Sequence, residues 1–149
     1  MKPFVFAFSV ISVLFLTCKN ESRATYNASE DQKISISDTL QLTLNNDEKW
    51  LVNAETHEGV KNMNAHIKQF NSRRSDNYQE LGLKLSKQTS YIIKNCTMTG
   101  DPHDQLHVVL VPMLDEISVL RESNNLISCK KAVTNLEDLI QAYFEHFNL

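Results

Sequence analysis

The sequence predicts an all-α domain: an up-down-up-down four-helix bundle preceded by a signal peptide and an extended tether. Three observations carry that expectation. Apolar residues beyond position 45 recur at spacings of three and four in four successive stretches of similar length. The breaks between these stretches are short and hold cap and stop residues. A chain of 149 residues with only three glycines has no Gly-rich phosphate loop and no Ser nucleophile elbow to interrupt them.

The N-terminus is set apart from the domain. Lys2 is a short basic start, and Phe4–Leu16 is an apolar run. The run falls short of the about twenty residues that cross a hydrocarbon core of ~30 Å, and it has the shape of a secretory h-region. Phe15-Leu16-Thr17-Cys18 resembles the bacterial lipoprotein signal of Leu, two small residues and Cys. That resemblance implies cleavage after residue 17 and a lipid on Cys18. Lys19 stands where an Asp would retain such a protein in the inner membrane. The implied address is therefore the cell envelope, on the outer membrane and facing the periplasm. Residues 18–33 are Asn-, Ser-, Glu- and Gln-rich and read as a flexible tether.

Residues 34–44 change character. Ile34, Ile36, Leu40, Leu42 and Leu44 all occupy even positions, a period of two that predicts an extended segment with one apolar edge. The bundle is expected over 45–149. Asn45-Asn46-Asp47-Glu48 offers caps for a first helix, whose stripe is Trp50, Ala54, His57, Val60, Met63, Ile67 and Phe70. A second helix carries Tyr78, Leu81, Leu85, Thr89, Ile92 and Cys96, and Gly100 is placed to end it as a left-handed residue. Asp101 and Pro102 suit the cap and first position of a third helix. Its seam is His103, Leu106, Leu110, Met113, Ile117 and Leu120, with a kink expected at Pro112. Ser123-Asn124-Asn125 caps a fourth, with Leu126, Cys129, Val133, Leu136, Ile140, Tyr143 and Phe147 inward. Gly59 and Gly82 are expected at close helix contacts.

Short loops make neighbouring helices antiparallel, which sorts residues by end. Cys96 and Met98 leave the second helix where His103 and His107 begin the third. His57 and His146 belong to the same end. Cys129 falls at the opposite end, too far from Cys96 for a disulfide, whose Cα atoms must approach within ~7 Å. His103 and His107 are four apart and share a helix face, a spacing that suits two imidazoles on one metal. Thiolate, thioether and imidazole form a donor set suited to copper and acceptable to zinc. The candidate ligands are Cys96, Met98, His103 and His107, with His57 as an alternative fourth. Each also has a plain structural role open to it, as a core or helix-start residue.

The segment Cys96-Thr97-Met98-x-Gly100-x-x-His103-x-x-Leu106-His107 resembles one found in small bacterial envelope lipoproteins of helical type. Trp50-x-Val52-Asn53 is similar too, so the resemblance spans Trp50 to about Met113. It implies a shared domain and carries no activity with it. His103-Asp104-Gln105-Leu106-His107 resembles the zincin His-Glu-x-x-His, but Asp104 stands where the catalytic Glu is required, and no enzyme is expected. A net charge of −3 without a basic block argues against nucleic acid as a partner. The expected function is a lipid-anchored periplasmic transition-metal protein, copper first and zinc second, for sequestration, delivery or sensing. The alternative is a metal-free envelope lipoprotein that docks another protein through a bundle face or the even-numbered leucine edge.

Overall fold

The computed structural model describes residues 36–149, so the signal, Cys18 and the tether lie outside the described residues. Four helices dominate: α1 (Ala54–Ser72), α2 (Tyr78–Asn95), α3 (Asp101–Glu122) and α4 (Leu126–His146). Each packs most extensively on its neighbour in sequence, and α4 returns to α1 along the least extensive seam. That is the expected up-down-up-down ring.

The core is the inner stripe of every helix. Val60, Met63, Leu85, Ile92, Met113, Leu120, Leu136, Leu139 and Tyr143 are fully buried. The two interior glycines make the helices approach closely. A Cβ on Gly59 would run into the side chain of Ile92, and one on Gly82 would lie 2.7 Å from Arg121 Cγ. Caps set the helix starts. Asn77 Oδ1 accepts from Glu80 N while its amide donates to Glu80 Oε2, a reciprocal box. Asn125 Oδ1 accepts from the backbone of Ile127 and Ser128.

Several boundaries differ from the sequence expectation. Asn45-Asn46-Asp47-Glu48 does not cap a helix. Asn46 and Asp47 take positive φ values of 51° and 68°, and Asn45 and Glu48 exchange backbone hydrogen bonds of 2.8 and 3.0 Å. Asn and Asp are the non-glycine residues that tolerate this conformation, so the stretch closes as a tight reversal. Trp50 therefore leaves the helical stripe. Trp50–Leu51 forms a short strand, β1, parallel to β2 (Phe147–Asn148), and α1 starts only at Ala54 with Asn53 as its cap.

The segment expected to be extended begins instead with a 3₁₀ turn, Ile36–Thr39. Its even-numbered residues Ile36, Leu40 and Leu42 still pack on the core. A period of two reports a one-sided apolar segment, and a 3₁₀ turn followed by irregular chain satisfies it as well as a strand. Leu44, the last of the even-numbered set, stays exposed, and Ile34 lies outside the described residues.

At the α2–α3 corner, α2 stops at Asn95 and Cys96 is already extended. Gly100 has the positive φ the sequence called for, but as the cap of α3, at φ 67° and ψ −152°. That combination is open to glycine alone. Asp101 and Pro102 consequently move one place into the helix. Pro112 lies inside α3, as the sequence places it.

Candidate metal corner between the second and third helices

The corner is held by one side chain. Asn53 Nδ2 donates to Asn95 O at 3.0 Å, tying the start of α1 to the last residue of α2. Its Oδ1 accepts from the hydroxyl of Thr56 at 2.7 Å, and Thr56 is wholly buried. The same amide donates to Glu55, holding that carboxyl below its ordinary range. Beyond the latch the chain leaves the helix at an extended Cys96 and reaches Gly100 without regular structure.

Two of the expected ligands meet directly. Cys96 Sγ lies 3.6 Å from His103 Nδ1. Metal bonds of ~2.3 Å to sulfur and ~2.05 Å to nitrogen, at a tetrahedral or trigonal angle, separate the two donors by about 3.6–3.8 Å. The observed spacing is therefore that of two ligands on one ion, and equally that of a thiol–imidazole hydrogen bond. His107 stands one turn further on, with its ring centroid 4.3 Å from that of His103 and tilted by 53°. The two rings are in tilted contact. Cys96 and His103 are half-buried, whereas His107 is exposed and has room to rotate. Met98, in the same link, is half-buried against the core. Among the described residues, no three of His, Cys, Asp and Glu are grouped so as to hold a metal ion.

Two of the other histidines, His57 and His146, are occupied elsewhere. His57 Nδ1 is 3.4 Å from the hydroxyl of Tyr143, and its ring meets Phe144 edge-on at 5.7 Å. Both partners belong to α4, so His57 sits on the α1–α4 side and is not brought to Cys96. Partial desolvation, followed by the charge of Lys61, holds its imidazole below the usual histidine range. Burial pushes the Tyr143 phenol well up. His146 places Nδ1 2.8 Å from Ala142 O at the end of α4.

Cys96 and Cys129 are both free thiols. Cys129 is buried beside Ser123 O, at the far end of the bundle from the corner. Antiparallel topology had required that separation. Two features had no sequence signal: the Asn53 latch, because a cap residue looks alike whichever way its amide turns, and the seam between α1 and α4.

The described residues thus define a helical bundle with a thiol–imidazole corner and little strand. No family model matches the chain, nor does any curated protein or solved structure. Among the described residues no helix is long and apolar enough to cross a membrane.

Proposed function

We propose that the α2–α3 corner binds a transition metal, copper first and zinc second, in a protein anchored to the cell envelope through a lipid on Cys18. The observation that carries this reading is the 3.6 Å approach of Cys96 Sγ to His103 Nδ1. Cys96 and His103 supply two ligands. His107 supplies a third by rotating its exposed side chain, and Met98 is the remaining soft donor in the link. Two or three soft donors suit Cu(I) better than a closed four-ligand zinc site. His57 is left out of the set because Tyr143 and Phe144 already hold it. Sequestration, delivery and sensing all follow from a half-exposed site of this kind. A lipid anchor would keep it at the membrane surface.

The test is a Cu(I) titration of the purified chain against a competing chelator, repeated with Zn(II). One equivalent is expected to bind. A His103→Ala/His107→Ala double substitution should weaken binding by at least tenfold, and Cys96→Ser should do the same. Equal affinity in the wild type and the double variant would remove the metal reading.

A further inference from the structure

The ring of helices closes least completely between α1 and α4. There the seam opens into a groove of about 410 Å³, lined by His57, Lys61, Asn64, Ala65, Lys68 and Phe144. It is an open trough rather than an enclosed cavity, with Lys61, Ala65 and Lys68 exposed and Phe144 half-buried. His57, Lys61, Asn64 and Lys68 follow one another at spacings of four, three and four, so they form a single stripe along α1 about 16 Å long. Phe144 and Ala65 give the groove apolar surface beside that polar stripe.

Its charge runs against that of the molecule. The chain carries a net −3, yet Lys61 and Lys68 both face this seam. Among the described residues neither makes an ion pair; the pair formed is Lys84 with Glu80, on α2. Three carboxylates of α1 and α4 accept hydrogen bonds from neutral donors rather than from these lysines. Glu58 accepts from the Tyr91 hydroxyl of α2, Glu145 from the Gln141 amide and Glu137 from the Asn71 amide. A third ammonium, Lys49 Nζ, sits 2.5 Å from Phe144 O at the closing end of α4. The result is a surface trough with two ammonium groups along its α1 side and the Phe144 ring on its α4 side.

We propose that this groove binds a single-chain anionic amphiphile, a long-chain carboxylate. Its headgroup would lie against the Lys61 and Lys68 ammonium groups and its hydrocarbon along Phe144 and Ala65. Neither half of the groove accounts for such a ligand alone. A small anion gains nothing from Phe144, and a neutral hydrocarbon leaves the two lysines unanswered. Contact of the hydrocarbon with Phe144 and Ala65 makes affinity rise with chain length. This site is separate from the metal corner, and its test does not depend on that reading.

The experiment is calorimetric titration of the purified chain with dodecanoate below its micelle threshold, alongside dodecanol and butyrate. One equivalent of dodecanoate is expected to bind at least tenfold more tightly than either control. Lys61→Gln/Lys68→Gln should abolish the preference over dodecanol, and Phe144→Ala should weaken dodecanoate while keeping that preference. His103→Ala/His107→Ala should leave both unchanged. Circular dichroism verifies the fold of each variant, and Lys61→Arg/Lys68→Arg, which keeps the charge, should restore binding if the double glutamine is poorly folded. Equal binding of dodecanoate and dodecanol by the wild type overturns the proposal. So does binding to anionic phospholipid vesicles without binding of monomeric dodecanoate, which would make the seam a membrane-facing surface.

Discussion

Replacing Asn53 with Ala gives the sharpest test of how the corner is built. The substitution removes the acceptor of the Thr56 hydroxyl and the donor to Asn95 O in one step. Thr56 is wholly buried, so its hydroxyl is left with no replacement from solvent. An orphaned buried hydroxyl costs about 1–3 kcal/mol, and the lost bond to a half-exposed carbonyl about 1 more. The expected loss is roughly 2–4 kcal/mol, a drop in Tm of about 10 °C for a domain of this size. The mechanism makes a second demand. Thr56→Val removes the stranded hydroxyl at nearly constant shape, so Asn53→Ala should cost about 1–2 kcal/mol less in the Thr56→Val background. Urea unfolding of the four members of the cycle reads both quantities. A cost for Asn53→Ala below about 1 kcal/mol, or costs that simply add across the cycle, would refute the latch. Because Asn95 directly precedes Cys96, the same variant should also loosen the Cys96–His103 approach and weaken Cu(I) binding more than its stability loss alone accounts for.

Gly59→Ala should destabilise by about 1–3 kcal/mol, because its Cβ collides with the fully buried Ile92. Adding Ile92→Val should recover part of that loss, and thermal unfolding of the two variants decides it. The His57 imidazole is held below its ordinary value of 6.5, so between the two pKa values the unfolded chain binds more protons than the folded one. Stability from this group is therefore full at neutral pH and falls as pH drops below about 6.5. His57→Gln should flatten that part of the urea-midpoint profile between pH 7 and 5. An unchanged slope would mean that another group carries it.

Much of the fold was legible because its signal is redundant. Val60, Met63 and Ile67, or Leu85, Thr89 and Ile92, repeat the three-four spacing often enough that no single position matters. Boundaries lack that redundancy. One Asn-Asp pair that accepts positive φ turned a predicted helix start into a reversal, and the chain from Asn45 to Asn53 became a turn and a strand. Strand β1 was invisible for a different reason. Its two residues pair with β2, nearly a hundred positions later, and a contact of that range leaves no periodicity in either segment.

The candidate site divides along the same line. Connectivity placed Cys96, His103 and His107 at one corner, because they lie within a dozen residues across a single turn. His57 was assigned to that corner by height along the bundle alone, and height is only one of two coordinates. In a ring where each helix packs on its sequence neighbours, α1 and α3 stand diagonally, so residues on them meet only through the core. The buried stripe of α1 is Thr56, Val60, Met63 and Ile67. His57 follows Thr56 by one residue, about 100° around the helix. It therefore points to a flank, and the flank it takes is the one facing Tyr143 and Phe144. The same rotation turns Lys61, Asn64 and Lys68 toward α4, since they share the stripe of His57. The residue that leaves the metal corner is thus the one that opens the line of the α1–α4 groove.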